Sequence, residues 1–249
     1  MGIEDCTNCK NWPNFPKHVS GTTSGLLGNT VMICGGFNDD VFDIYLYSLA
    51  NECYSFTAQK ATLITYMSVE RIDAASIVLN DNTLWVTGGE INDEYSVYIG
   101  YPIASTEHVK ISGSMPGPDL PMALKRHAMA SINSTVSMVI GGWNGNQDGN
   151  SWDGTASTFY FNHIEGKWSN GPILMQSRFL HAAGIVTDEL TNEKFVAVTG
   201  GFLFALSQTG NHDSKVYLDS SEILQDGKWV EGKINNTINQ TISSKTDTF

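Results

Sequence analysis

The amino-acid sequence predicts an all-β protein built from four copies of one four-stranded unit. Of its 249 residues, 24 are glycine, 41% are apolar and only 16% are charged, a composition typical of a sizeable core joined by many tight turns. A Gly-Gly doublet follows a short β-branched run four times, beginning at Gly35, Gly88, Gly141 and Gly200. These doublets lie roughly 53 to 59 residues apart, and a near-constant period of about 50 residues indicates a repeat architecture.

Each repeat is predicted to be an antiparallel meander of four strands, which we label A to D. Strand A is a run of small residues such as HAMASI from His127, and a tight turn joins it to strand B, which ends at the doublet. A long variable loop leads to strand C, and strand D opens with Gly-Lys-Trp at Gly166 and Gly227. Strands A and B are apolar on both faces, as expected where a sheet is sandwiched between neighbours.

These motifs resemble the kelch family. The resemblance rests on the Arg-x-x-His-Ala pattern before strand A, the doublet after strand B and the Trp of strand D, and it covers about residues 17–232, in repeats 17–70, 71–125, 126–177 and 178–232. It implies a kelch-type β-propeller with four recognisable blades. Propellers of that family more often have five to seven, so we expect either an incomplete, truncated propeller or a closed four-bladed one. Residues 1–16 are interpreted as an N-terminal segment that carries a strand of another blade, and residues 233–249 as a disordered polar tail.

The four cysteines fall into two pairs. Cys34 ends strand B and Cys53 begins strand C of the first repeat, so the antiparallel pairing of these strands favours a disulfide; two buried free thiols are the alternative. Cys6 and Cys9 form a single Cys-x-x-Cys, without the second pair of ligands that zinc requires. We therefore expect no metal, and a second disulfide there instead.

Charge and motif content disfavour several functional classes. The net charge is −12, with 26 acidic against 14 basic residues, which disfavours binding to nucleic acids or anionic membranes. No apolar run approaches the length of a membrane span, and no hydrolase, P-loop or dinucleotide motif occurs. His127 and His181 occupy a repeated strand A position and are interpreted as core residues. The sequence thus predicts a binding protein rather than an enzyme, without a cofactor.

The expected binding surface is the end of the blades that carries the B–C and D–A loops. All four B–C loops are long, and long loops on a rigid scaffold concentrate binding function. Aromatic and acidic residues typical of interfaces lie in these loops, although the aromatic rings would alternatively only pack the loops onto the blades. The candidate contacts to a protein or glycan partner are Asp40, Tyr45, Asp93, Glu94, Tyr95, Trp143, Trp152 and Phe202, together with Arg71, Arg126 and Arg178 before three of the A strands.

Glycosylation sequons and cysteines indicate the compartment in which the protein folds. Asn-x-Ser/Thr occurs at Asn133, Asn235 and Asn239, and sequons together with a disulfide favour an extracellular protein. The absence of a recognisable signal peptide favours the cytoplasmic alternative. In that case the chain would be an intracellular kelch adaptor of the ubiquitin-ligase type without its BTB region; a kelch-like oxidase is a distant third hypothesis.

Overall fold

The computed structural model describes residues 13–38, 48–93, 96–145, 154–205 and 214–232. These segments contain 23 β-strands, and no helix occurs among them. Accordingly, no helix in the described part of the chain is suited to crossing a bilayer. The predicted all-β class is confirmed.

Four antiparallel four-stranded sheets form the body of the fold, and we call them blades I to IV in chain order. Blade I has the strand order β2-β3-β6-β7, while β1, β4 and β5 form a small sheet beside it. The bounds of these strands are β1 (Val19–Ser20), β2 (Thr23–Leu27), β3 (Thr30–Cys34), β4 (Phe37–Asn38), β5 (Ser48–Leu49), β6 (Glu52–Phe56) and β7 (Ala61–Tyr66).

Blades II and III repeat this meander. Blade II has the order β8-β9-β12-β13, and a separate hairpin of β10 and β11 occupies its B–C loop. Blade III has the order β14-β15-β16-β17. The bounds are β8 (Ala75–Val78), β9 (Leu84–Thr87), β10 (Glu90–Asp93), β11 (Ser96–Pro102), β12 (Thr106–Lys110), β13 (Gly113–Pro116), β14 (Ala128–Ser131), β15 (Val136–Ile140), β16 (Thr158–Asn162) and β17 (Lys167–Asn170).

Blade IV has the order β18-β19-β22-β23, and its B–C loop carries the hairpin β20–β21. Its strands are β18 (Ala182–Thr187), β19 (Lys194–Thr199), β20 (Phe202–Ala205), β21 (Ser214–Tyr217), β22 (Ser221–Gln225) and β23 (Lys228–Glu231). The chain order of strands therefore equals their spatial order in every blade, as the sequence predicts for a meander.

The blades pack face to face, with their A strands adjacent. Strand β2 contacts β8, β8 contacts β14, and β14 contacts β18, which places strand A innermost in each blade. One apolar cluster fills each interface: Met32 and Val86 belong to the first, Trp85 and Phe161 to the second, and Met138 and Val198 to the third. Because both faces of the middle blades are buried, their B strands are apolar except for Thr87 and Ser137, whose side chains are also buried.

Four residues just before the A strands form a hydrogen-bonded backbone chain across the blades. Asp73 donates its N–H to the Gly21 carbonyl at 2.9 Å, Arg126 donates to Asp73 at 2.9 Å, and Leu180 donates to Arg126 at 3.0 Å. All four residues have positive φ, between +54° and +63°. The left-handed conformation costs about 1–2 kcal/mol for a residue other than glycine, and here it lets each blade bond to the next.

The doublets are points of close approach between consecutive blades. A Cβ added to Gly88 would lie 2.3 Å from the Leu124 carbonyl, and one added to Gly141 would lie 2.7 Å from the Arg178 carbonyl. Gly200 has a similar φ of +68°, but its nearest such atom is the Leu218 carbonyl at 3.9 Å. Within the described residues, the last doublet lacks the segment of a following blade that crowds the other three.

Candidate binding site at the D–A end of the blades

A cavity of about 230 Å³ lies at the end of the blades where the A strands begin. Its walls come from all four blades, because the residues of the backbone chain and their neighbours line it. They are Gly21, Thr22, Asp73, Ala74, Arg126, His127, Leu180 and His181. The cavity therefore opens on the B–C/D–A end, which the sequence predicts as the binding surface.

Arg126 and Asp73 form the charged pair of this cavity. The Arg126 Nε donates to the Asp73 Oδ2 at 2.7 Å, and the side chains are 35% and 16% exposed. Their φ values of +56° and +57° follow from the hydrogen-bonded backbone chain across the blades. This chain fixes both residues at the opening of the cavity, which we call its mouth. A ligand at this mouth meets a guanidinium and a carboxylate that are already held in place.

Lys125 joins blades II and III beside the mouth, a role that the sequence did not predict. Its ammonium group pairs with the Glu90 carboxylate of blade II and lies 4.0 Å from the ring centroid of Trp143 in blade III. Burial lowers the pKa of Lys125, and the hydrogen bond to Glu90 opposes that effect. Trp143, predicted to be a partner contact, is half-buried and is anchored here by the cation.

Phe202 is buried, and this corrects its prediction as a surface contact. Its ring packs 4.1 Å from that of Phe179, centroid to centroid, since β20 pairs with the segment just before strand A. Tyr217 of the same hairpin is an aromatic residue that is exposed, at 74%. Lys215 lies over both rings, at 4.1 Å from Phe202 and 5.5 Å from Tyr217. Sequence reasoning missed Tyr217 because it assigned the loop no strands.

Arg71 and Arg178 are interior residues, which corrects their prediction as partner contacts. Their exposed fractions are 1% and 0%. Arg71 donates to Glu107 at 2.7 Å and to the Gly88 and Ser105 carbonyls at 2.7 and 2.9 Å. Burial lowers the pKa of Arg71 below its usual value, although the negative charge of Glu107 opposes this effect. Arg178 makes the corresponding contact with Glu222 at 2.8 Å in blade IV.

The two buried carboxylates also bind the preceding blade. Glu107 accepts hydrogen bonds from the Ser68 and Val69 amides at 2.7 and 3.1 Å, and Glu222 accepts the equivalent pair from Met175 and Gln176. Burial raises the pKa of Glu107, but hydrogen bonds from Ser114 and Ser68 and the charge of Arg71 outweigh it, so the pKa lies below the usual value. Each carboxylate thus fastens a D–A loop to the next blade.

Arg126 is not the counterpart of Arg71 and Arg178, although the sequence suggested it. The second glycine of each preceding doublet donates its N–H to the carbonyls of Arg71, Leu124 and Arg178, so Leu124 holds this place in blade III. By the strand register, Phe159 stands where Glu107 and Glu222 stand. An apolar pair therefore replaces the ion pair in blade III, and Arg126 is left at the cavity.

His127 and His181 line the inner wall of the cavity and are almost wholly buried. Burial lowers the pKa of His127 to about 3, with a further contribution from His181, and burial lowers that of His181 to about 4, with a further contribution from Arg178. The His127 Nε2 lies 2.8 Å from the Thr87 hydroxyl. Both rings are therefore neutral at physiological pH.

A disulfide joins Cys34 to Cys53, as the sequence predicts. The two residues are direct register partners on β3 and β6, with Cα atoms 4.1 Å apart. Both are buried at the interface of blades I and II. Among the described residues, no group of three or more His, Cys, Asp or Glu side chains is arranged to hold a metal ion.

The other predicted residues differ in how much of them the structure describes. Asp93 belongs to β10, but its side chain is not described. Asn133 is exposed in the turn between β14 and β15. The remaining predicted residues, all outside the described segments, are Asp40, Tyr45, Glu94, Tyr95, Trp152, Asn235 and Asn239, with Cys6 and Cys9.

Comparison with solved structures identifies the architecture. The structure of YjhT, a kelch-like β-propeller, superposes with a TM-score of 0.73 at 13% sequence identity, covering 90% of this chain and 74% of the other. The chain has a β-propeller fold. No protein-family model and no curated protein matches its sequence, so this propeller is recognised by its three-dimensional structure, and the likeness extends to the fold alone.

Proposed function

We propose that this propeller is a non-catalytic binding protein that takes a protein segment or a glycan chain of its partner at the D–A cavity. The observation that carries the proposal is the fixed Arg126–Asp73 pair in a cavity of about 230 Å³. A small concave site with a few oriented polar groups is the usual form of a recognition site. On this proposal the repeats are of the kelch type, and the B–C hairpins contribute the outer contacts.

The two charged groups support recognition by hydrogen bonding. Arg126 is a rigid donor for carboxylate, carbonyl or hydroxyl oxygens, and Asp73 accepts from amides or hydroxyls. Both peptide backbones and sugars offer such groups. Tyr217 adds an exposed ring at the same end of blade IV, and aromatic rings of this kind serve as anchors for peptide and sugar faces.

The state of the titratable groups supports binding rather than catalysis. His127 and His181 are neutral and buried, and the lowered pKa values of about 3 and about 4 keep them poor bases at neutral pH. The Asp73 carboxylate is already paired with Arg126. Such a site is suited to holding a ligand in place.

The test compares charge removal at the two ends of the blades. The secreted protein is applied to a glycan array and to a displayed random-peptide library, and R126A and D73A are compared with the wild type. The matched control is the exposed pair Lys110–Asp81 at the A–B end, 2.8 Å apart, as K110A and D81A. We expect the mouth variants to lose about tenfold or more in affinity for the ligands retained by the controls, since a charge-assisted hydrogen bond contributes about 1.5–3 kcal/mol.

Two results would contradict the proposal. Equal binding by wild type, R126A and D73A would show that the mouth takes no part. A loss confined to K110A and D81A would place the binding surface at the opposite end. Melting temperatures of all four variants serve to separate lost binding from lost folding.

A further inference from the structure

The turn between β14 and β15 presents Asn133 at the A–B end, opposite the cavity lined by Arg126 and Asp73. The Asn133 Oδ1 accepts hydrogen bonds from the Thr135 N–H at 2.8 Å, the Thr135 hydroxyl at 2.9 Å and the Val136 N–H at 2.9 Å. These three bonds fix the side-chain amide on an exposed turn. Asn133 and Thr135 are also the acceptor and hydroxyl residues of the sequon Asn133-Ser134-Thr135.

A second cavity, of about 370 Å³, lies beside this turn between blades II and III. Blade II provides one wall through its own A–B turn, and blade III provides the other through Asn133 and its neighbours. The lining residues are Val78, Leu79, Asn80, Asp81, Ser131, Asn133, Ser134, Ser137 and His163. Six of the nine are uncharged hydrogen-bonding side chains, and Val78 and Leu79 of blade II provide an apolar wall.

The polar groups of this cavity are held in fixed positions. The Ser137 hydroxyl, on a residue only 2% exposed, lies 2.7 Å from the His163 Nε2. Asn80 donates its Nδ2 to the Ser134 carbonyl at 3.2 Å, across the two blades. The Asp81 carboxylate is paired with Lys110 at 2.8 Å. A preformed cavity with fixed polar groups and an apolar wall suits a sugar ring, which has hydroxyl groups at its edge and apolar faces.

We propose that Asn133 carries an N-linked glycan and that the first N-acetylglucosamine of this glycan occupies the cavity between blades II and III. The volume lies within the range of about 300–1,000 Å³ that is typical of small-molecule sites, so one sugar ring fits. Because Asn133 itself lines the cavity, the attached sugar is confined next to it at a high effective concentration. The hydroxyl and acetamide groups of the sugar meet the polar groups from both turns.

The modification is a group transfer during passage through the secretory pathway. The donor is an oligosaccharide linked through pyrophosphate to a polyisoprenoid lipid. The Asn133 Nδ2 forms a bond to C1 of the first sugar, the bond between C1 and the phosphate oxygen breaks, the lipid pyrophosphate leaves, and the Nδ2 loses one proton. The Cys34–Cys53 disulfide independently favours the same oxidising compartment.

The experiment uses protein secreted by animal cells that make only high-mannose glycans. The substitutions N235Q and N239Q leave Asn133 as the remaining acceptor of the three sequons. In this background T135A removes the sequon while keeping Asn133, and T135S keeps the sequon as a matched control. Intact mass should show one glycan on the parent and on T135S and none on T135A.

Enzymatic trimming of the folded parent then tests where the first sugar lies. An endoglycosidase that cuts between the first two sugars leaves one N-acetylglucosamine, whereas an amidase hydrolyses the side-chain amide, removes the whole glycan and leaves an aspartate in place of Asn133. The unglycosylated variant N133D, compared with N133Q, measures the effect of that new carboxylate. We expect the one-sugar form to keep the melting temperature of the full glycoprotein and the sugar-free form to melt about 2–4 °C lower. Hydrogen exchange in residues 78–81 should increase only when the last sugar is removed.

Either of two results would overturn the proposal. Secreted, folded protein with no added mass at Asn133 would exclude the modification. A glycan whose complete removal leaves both the melting temperature and the exchange of residues 78–81 unchanged would exclude the cavity as its place. Because trimming is performed on folded protein, the second result is decisive even if T135A does not fold.

Discussion

Leu124 holds in blade III the position that Arg71 holds in blade II: the carbonyl of each accepts a hydrogen bond of 2.8 Å from the second glycine of the preceding doublet. The side chains differ in kind, since Arg71 is paired with Glu107, whereas Leu124 belongs to the same apolar cluster as Phe159, which occupies the strand position of Glu107. The same backbone contact is thus compatible with a buried ion pair or with an apolar pair, and blade III shows the second solution.

This equivalence predicts that the effects of substituting Arg71 and Glu107 on stability are strongly coupled. R71L alone leaves the Glu107 carboxylate buried without its cation, and E107F alone leaves the Arg71 guanidinium buried without its anion. Each single change should therefore lower the free energy of unfolding by about 3–5 kcal/mol. R71L/E107F copies the pair of blade III and should cost much less than the sum of the single changes. Urea unfolding measures all three, with K110A/D81A as an exposed pair worth about 0–1 kcal/mol. Additive costs in the double variant would contradict the coupling.

The doublet glycines should differ in their tolerance of a side chain. G141A and G200A both place a Cβ at positive φ, which costs about 1–2 kcal/mol. Only Gly141 also brings that Cβ within 2.7 Å of a neighbouring carbonyl, that of Arg178. We therefore expect G141A to lower the melting temperature more than G200A, and equal losses would show that backbone strain alone determines the cost.

Stability should decline in mild acid because of His127 and His181. Their pKa values of about 3 and about 4 lie below the usual value near 6.5, so the unfolded chain binds more protons between these limits. The contribution of each neutral histidine to the free energy of unfolding is therefore fully present above pH 6.5 and is lost as the pH falls towards 4. The loss amounts to about 2 kcal/mol per histidine by pH 5. Burial also lowers the pKa of His108 and His163, which adds to the decline.

Substitution assigns the contribution of each buried ring. The free energy of unfolding, measured by urea titration at several pH values, should depend less steeply on pH in H127L and in H181L. The slope between pH 6.5 and 5 is the informative quantity, because either change also alters packing at neutral pH. A wild-type profile that is flat in this range would contradict the prediction.

Removal of the Cys34–Cys53 disulfide should destabilise blade I. The bond closes a sequence separation of 19 residues, for which the loss of chain entropy predicts about 3 kcal/mol of stability. C34A/C53A should therefore unfold at lower urea concentration than the oxidised parent. Reduced parent protein is the matched control, since it keeps both sulfur atoms and should fall close to the double variant. If alkylation of unreduced secreted protein labelled both Cys34 and Cys53, the disulfide would be contradicted.

Local pattern was sufficient to predict the repeating architecture. The four doublets, the small-residue A strands and the alternation of strands and turns depend on neighbours in the chain, so the meander and the all-β class follow from the residues themselves. The disulfide followed in the same way, because Cys34 and Cys53 bracket a B–C loop whose strands pair. Strand β13 lacks the Trp found in the D strands of blades III and IV, yet it pairs with β12 as the fourth strand of blade II.

Side-chain roles between blades were decided only by the tertiary structure. Arg71, Arg126 and Arg178 look equivalent in the sequence, but a two-residue difference in register buries the first and third and leaves the second at the cavity. The contact of Lys125 with Glu90 and Trp143 likewise joins residues from two blades. The sequence determined that the chain builds four similar sheets, because strand and turn formation is local. The packing of one sheet on the next determined which charges are buried and which line a cavity, because burial depends on residues that are about 50 positions apart.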